Sequence, residues 1–138
     1  MAKLIADAKT DEILNNLAKG ATIASGSRYF ALFDGDPQGA GTEQTSTITG
    51  SATRLQVDGR FGTPTTVNGF RQIANNATLT VTGSASGAAN ATYAAIYDAA
   101  TGGNLIASYT LSAALSIAAG NAVEFASGQV TLAFDNPA

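Results

Sequence analysis

The chain opens with a short amphipathic pattern and then changes to an alternation that is typical of β-strands. Ile13, Leu14 and Leu17 fall at the spacing of one helix face, and polar residues lie between them. Thr10 is the predicted N-cap, and Gly20 is the predicted C-terminal stop. The pattern therefore predicts one amphipathic helix whose apolar face needs something to pack against.

The charges near this segment fit the dipole of such a helix. Asp11 and Glu12 stand in the predicted first turn, and Lys19 stands in the last. Leu4 and Ile5 would extend the apolar face upstream.

After residue 25 the sequence predicts short strands separated by glycine-rich turns, at the spacing of roughly 8–12 residues that sandwiches show. Residues 40–51 contain a single large apolar side chain, Ile48, and predict a long loop or an exposed ribbon. We expect an all-β fold, a small jelly-roll-like β-sandwich with one N-terminal amphipathic helix. Residues 1–20 would form the arm and helix, and residues 21–138 the sandwich domain. The predicted strand segments are 28–33, 54–57, 61–67, 78–81, 93–97, 105–111, 114–117, 123–125 and 130–134.

Composition narrows the possible chemistry. Of 138 residues, 28 are alanine, 17 are threonine and 15 are glycine, and charged residues make up only 12%. The chain has no histidine and no cysteine, which removes the commonest general base, disulfides and every cysteine-based metal site. We therefore expect no enzyme and no cofactor.

Charge and hydropathy indicate which partners to expect. A net charge of −3 argues against a nucleic-acid partner, which needs clustered basic residues. No stretch approaches the roughly 18 apolar residues of a membrane span, and Lys9 with its neighbouring acids interrupts any apolar leader. All seven basic residues lie in the first 71 positions, so the second half is nearly uncharged. We expect much of that half to be core or interface.

One loop imitates a calcium site. Asp34 and Asp36 open a run that resembles the start of an EF-hand loop, but Thr45 stands where a bidentate glutamate is needed and Pro37 disturbs the loop. The sequence favours a turn between two elements. It leaves open a cation held with Glu43 in another geometry.

The pattern of the remaining polar residues predicts structural hydrogen bonds and no catalytic site. Asp98 follows a predicted strand and precedes a turn, so we expect its carboxylate to accept a bond from its own backbone. Serines are numerous, but without histidine a nucleophilic triad needs a lysine base, and every lysine belongs to the N-terminal segment.

Several short motifs follow one another in a recognisable order. They are ILNNLAKG (13–20), YFALF (29–33), GDP (35–37), AGTE (40–43), AAIYDAATGGNLI (94–106), AGNAVEF (119–125) and SGQVTL (127–132). In this order they resemble a family of small tailed-bacteriophage virion proteins, often labelled tail-fibre proteins or capsid decoration (cement) proteins. Members commonly carry Tyr-x-Arg after the G-T-E loop, whereas Ala52-Thr53-Arg54 keeps only the arginine, and residues 54–91 match poorly.

The resemblance implies a β-sandwich in a multicopy assembly on the particle. We expect a non-enzymatic virion structural protein, a capsid cement or decoration protein that bridges and stabilises major capsid subunits. The alternative is a tail-fibre or tail-associated protein involved in host-surface binding. Expected partners are the major capsid protein and further copies of the chain, a trimer being favoured, with no nucleic acid and no membrane.

The resemblance does not decide the location. A neutral surface of threonine, alanine and glycine suits flat contacts with a shell and favours the outer capsid surface, with the tail as the alternative, after assembly in the host cytoplasm. The predicted contacts lie on the helix face and on the polar loop with its arginine. These predicted contact residues are Leu4, Ile5, Ile13, Leu14, Leu17, Glu43 and Arg54.

Overall fold

A computed structural model describes residues 5–23, 25–44, 54–82 and 89–133. Within these ranges the chain forms one helix and nine strands, and each strand pairs antiparallel with at least one other. The elements are α1 (Asp7–Lys19), β1 (Tyr29–Phe33), β2 (Leu55–Gln56), β3 (Thr65–Val67), β4 (Phe70–Ala74), β5 (Leu79–Thr82), β6 (Ala89–Tyr97), β7 (Leu105–Ile117), β8 (Ala122–Phe125) and β9 (Thr131–Ala133).

Helix α1 begins earlier than predicted. Ala6 occupies the N-cap position, and Thr10 lies inside the helix, where its hydroxyl donates to the Ala6 carbonyl at 3.2 Å. The prediction of Thr10 as N-cap is therefore wrong. Gly20 ends the helix as predicted, with a left-handed φ of 68° and its amide 2.9 Å from the Asn16 carbonyl.

The start of α1 is fixed by the edge of β7. Ile5 forms an antiparallel bridge with Ala107, and the Ala6 amide donates to the Ile106 carbonyl at 3.0 Å. Residues 5 and 6 thus pair with β7 as a short strand would, and the helix begins at the next residue. No helix among the described residues has both the length and the apolar character needed to cross a membrane.

The largest sheet has the strand order β2-β1-β6-β7, and every neighbouring pair is antiparallel. Strand β1 pairs with β6 along its whole length, from Tyr29 opposite Tyr97 to Phe33 opposite Tyr93. Both strands were predicted from their β-rich runs, and both predictions are confirmed.

Strand β7 joins two segments that the sequence separates. Its pairing with β6 shifts register between Ala91 opposite Leu115 and Tyr93 opposite Thr110, which leaves extra residues on β7. The predicted break between residues 111 and 114 is therefore an irregularity within one 13-residue strand.

Two smaller sheets complete the fold, one of order β3-β4-β9 and one made of β5 and β8. The core lies between the largest sheet and these strands, where Phe30 and Phe125 meet edge-to-face with ring centroids 5.3 Å apart. The all-β prediction with one helix is confirmed. The jelly-roll connectivity and the division at residue 20 stay predictions.

A buried asparagine joins the two smaller sheets. Asn75, only 2% exposed, follows β4, and its amide nitrogen donates to the carbonyls of Ala77, Phe125 and Ala126 at 2.8, 3.3 and 2.9 Å. Its side-chain oxygen accepts the Val130 amide at 2.8 Å. One side chain therefore satisfies backbone groups that lead into β5, out of β8 and into β9.

Replacing Asn75 by alanine should leave these buried groups without partners. We expect Asn75→Ala to lower the free energy of unfolding by about 2–4 kcal/mol, measured by urea denaturation. Asn76→Ala is the matched control, since Asn76 is exposed, and it should cost less than about 0.5 kcal/mol. Equal losses in the two variants would contradict the role given to Asn75.

Candidate functional site

Two of the predicted contact residues, Glu43 and Arg54, meet in a partly buried ion pair. The Arg54 side chain is 6% exposed and that of Glu43 is 30% exposed. Nε and Nη2 of Arg54 donate to the two carboxylate oxygens of Glu43, each at 2.8 Å. This parallel pair of bonds is the strong, orientation-specific geometry of arginine with a carboxylate.

The other side of the Arg54 guanidinium holds the turn between β6 and β7. Nη1 donates to the Ala99 carbonyl at 3.0 Å and to the Gly102 carbonyl at 2.7 Å. The Arg54 backbone amide donates to the Ala100 carbonyl at 3.1 Å. We call Glu43, Arg54 and the turn 98–104 the arginine clamp, because one side chain fixes both loops.

An aromatic pair lies against the clamp. The Arg54 guanidinium carbon lies 3.6 Å from the centroid of the Tyr97 ring, within cation–π range. Tyr97 in turn stacks on Phe33, with centroids 6.1 Å apart and planes 10° from parallel. Burial raises the pKa of the Tyr97 hydroxyl, and the Arg54 charge opposes that rise.

The turn 98–104 is closed by Asp98. Its carboxylate accepts the Asn104 backbone amide at 2.6 Å and the Asn104 side-chain amide at 3.0 Å. The expected bond from Asp98 to the backbone of its own turn is therefore present. These bonds hold the Asp98 pKa below its usual value of 3.8. Gly103 has a φ of 71°, and a Cβ there would lie 2.5 Å from Asp98 Oδ1, so the turn needs glycine.

The loop that imitates a calcium site uses its acids for internal bonds. Asp34 accepts the Thr42 amide at 2.7 Å, and Asp36 accepts the Gln38 amide at 2.9 Å. Gln38 also donates to the buried Ser108 hydroxyl at 3.0 Å, which fastens the loop onto the largest sheet. Across residues 5–23, 25–44, 54–82 and 89–133, no three acidic side chains gather into a potential metal site.

The predicted helix contacts divide into two sets. Ile5 and Ile13 are half-buried, whereas Leu14 is 56% and Leu17 is 77% exposed. Leu4 lies outside the described residues. The shared apolar face that the sequence predicts is thus only partly covered by the chain itself.

A pocket that the sequence does not reveal opens between β7 and β8. It has a volume of about 440 Å³. The hydroxyl of Tyr109 is buried nearby and has no hydrogen-bond partner in the described part of the chain, and burial raises its pKa. The pocket is lined by Tyr109, Thr110, Leu111, Ala113, Leu115, Val123, Glu124, Phe125, Gln129 and Thr131.

The exposed residues of the segment 113–129, part of which lines the pocket, are almost without charge, and we call them the neutral surface. Its residues follow the irregularity of β7 and continue through β8 into the next turn, and Glu124 is the only charged residue among them. These positions are not part of the core of the chain, and the expectation that much of the second half is core or interface stays a prediction. The exposed residues of this neutral surface are Ala113, Ala114, Ser116, Ala118, Ala119, Gly120, Asn121, Ala122, Glu124, Ala126, Ser127, Gly128 and Gln129.

The fold and the clamp define a β-rich structural module whose buried polar groups hold loops in place. Residues 5–133 match the family described as Podophage GP4 fiber I protein gp80. The chain belongs to this family, and it is a bacteriophage virion structural protein. A comparison with curated proteins found no match.

The clamp predicts a large cost for changing Arg54. Arg54→Ala leaves two carbonyls and Glu43 without their donors, so we expect a loss of about 2–4 kcal/mol in the free energy of unfolding. Arg54→Lys should recover little of it, because an ammonium group does not reproduce the forked geometry. The control Arg71→Ala removes an exposed arginine and should change stability by less than about 0.5 kcal/mol in the same urea titration.

The lowered pKa of Asp98 predicts acid sensitivity. Because the folded protein binds this proton more weakly than the unfolded chain, the contribution of Asp98 is fully present above pH 3.8 and is lost as the pH falls through the lower folded value. Asp98→Asn should be less stable than the parent at neutral pH and should lose less stability on acidification. Parallel pH profiles of the urea midpoint for the two proteins would contradict this.

Proposed function

We propose that the chain is a non-enzymatic structural subunit of a phage tail fibre. The observation that carries the proposal is the match of residues 5–133 to a family described as a podophage fibre protein. The sequence alone favours a capsid cement role, but this description fits the tail-fibre alternative at least as well, so the alternative now leads.

The use of polar groups supports a role without catalysis. The carboxylates of Glu43, Asp98 and Asp34 all accept internal hydrogen bonds. Among the described residues that line the pocket, Glu124 is the only acid, whereas glycoside hydrolysis generally uses two carboxylates roughly 5–10 Å apart. These carboxylates therefore stabilise loops, and contacts with other molecules are left to the exposed surface.

The neutral surface is suited to an assembly of many copies. Weak contacts become strong when many copies engage together, because later binding events are intramolecular. We therefore propose that the chain binds further copies of itself and that the fibre serves to bind the host surface. A net charge of −3 gives no support for a nucleic-acid partner.

A capsid decoration role is the second candidate. The neutral surface favours it, because uncharged exposed residues suit contact with a shell. In that case the partner is the major capsid protein and the location is the outer capsid surface.

Gold-labelled antibodies on intact particles test the location. We expect label confined to the tail, and particles that lack the protein should adsorb poorly to host cells while their capsids resist heat as before. Label spread over the capsid, together with a lowered disruption temperature of the depleted shells, would overturn the fibre proposal in favour of decoration.

Purified protein provides the second arm of this test. If the chain acts in host-surface binding, preincubating host cells with it should reduce adsorption of intact phage, and cells of a resistant strain serve as the control. If the antibodies label the tail but the purified protein does not reduce phage adsorption, the host-binding role is overturned. The proposal then keeps only the structural role in the fibre.

A further inference from the structure

The pocket between β7 and β8 mixes apolar and polar groups in similar measure. Its apolar wall includes Leu111, Leu115 and Val123, each half-buried, and its polar groups come from β7, β8, the following turn and β9. A purely apolar ligand would remove water from these polar groups without replacing their hydrogen bonds, which is unfavourable. The pocket therefore suits a ligand that carries both apolar and polar surface.

The size of the pocket fits one six-membered ring with its substituents. A cavity of roughly 150 Å³ already accommodates benzene, and pockets for small molecules generally measure roughly 300–1,000 Å³. The volume of about 440 Å³ lies near the lower end of that range. A single pyranose ring with its hydroxyl groups is a ligand of this size.

Gln129 lines the pocket with a side chain whose orientation is already fixed. Its Oε1 accepts the Ala126 backbone amide at 2.7 Å. Its Nε2 donates to no group in the described part of the chain, so the two N–H donors of that nitrogen remain for a ligand. A side chain that is held in place loses less entropy when it binds a ligand.

The other polar groups of the pocket are also unused by the described residues. Glu124 is exposed there, and its carboxylate accepts no hydrogen bond within those residues. Thr110 and Thr131 add hydroxyls, which both donate and accept. Sugar hydroxyls likewise donate and accept, so they match a set made of a carboxylate, an amide N–H group and hydroxyls.

The charge of the pocket disfavours acidic ligands. Glu124 is the only charged residue among the described residues that line it, and no basic side chain is among them. A carboxylate or phosphate on the ligand would meet Glu124 without a cation to compensate, and like charges placed together in an interface are costly. A neutral ligand therefore fits this pocket better than an anionic one.

We propose that the β7–β8 pocket binds a neutral hexose or N-acetylhexosamine unit of a host-surface glycan. The hydroxyls of the sugar bond to Glu124 and Gln129, and its C–H groups lie against the apolar wall. One carboxylate does not supply the pair that hydrolysis generally uses, so the sugar is held without being cleaved. The inference rests on the proposed host-binding role of the fibre, and it names the class of molecule recognised.

Nuclear magnetic resonance of the purified, isotope-labelled chain tests the site. Neutral hexoses, 6-deoxyhexoses and N-acetylhexosamines are titrated one at a time. We expect at least one of them to shift the backbone amide signals of the pocket-lining residues until the shifts saturate. The uronic acid of the best-binding sugar should bind several-fold more weakly than that sugar, because its carboxylate meets Glu124.

Two adjacent alanines provide a matched pair of variants. Ala113 and Ala114 are both exposed, but only Ala113 lines the pocket. Ala113→Tyr places a ring in the pocket and should weaken sugar binding several-fold, whereas Ala114→Tyr should leave it unchanged. Glu124→Gln keeps the shape of the side chain, and it should weaken binding of the neutral sugar and reduce the discrimination against the uronic acid.

Three outcomes would overturn the sugar site. They are the absence of saturable shifts at the pocket with every sugar, equal binding by Ala113→Tyr and Ala114→Tyr, and equal binding of the uronic acid and its neutral counterpart. A chain that competes for host cells yet binds none of these sugars would keep the host-binding role and lose the sugar site. Conversely, antibody label on the capsid would overturn the fibre proposal and leave a measured sugar site in place.

Discussion

The packing of the two smaller sheets depends on the amide side chain of Asn75. Where β8 ends and β9 begins, the chain turns beside the core, and the Phe125 carbonyl and the Val130 amide are buried there. Asn75 is 2% exposed and binds the backbone at Ala77, Phe125, Ala126 and Val130. Buried backbone groups cost free energy unless they are paired, so this side chain permits the sheets to close over the core.

The same requirement explains the arginine clamp at another part of the fold. Arg54 is buried by the loops that it binds, and its charge is compensated by Glu43 and by two carbonyls. A lone buried guanidinium would be strongly unfavourable, whereas this one is matched by oxygen on both sides. In this chain the charged groups nearest the core serve the scaffold, and contact with other molecules is left to the exposed surface.

Sequence patterns predict the helices and strands whose formation depends on residues close together in the sequence. The apolar β-rich run at Tyr29–Phe33 and the glycine that ends α1 follow from side-chain shape and backbone freedom. Strand β4 is not predicted, since its apolar residues do not alternate and its partner β9 is far away in sequence, although the Asn68-Gly69 pair before it is a hairpin signal. Asn75 and the β7–β8 pocket carry no local signal, because both arise only when distant strands meet.

The near absence of charge after Arg71 extends to residues that the structure shows to be exposed. An exposed surface of alanine, serine and glycine gives little electrostatic repulsion between copies and pays little side-chain entropy on contact. It also gives little attraction, so such a surface needs an anchor that supplies affinity and direction. Leu14 and Leu17 are the most exposed leucines of the described residues and are suited to that role, since buried apolar anchors dominate most interfaces.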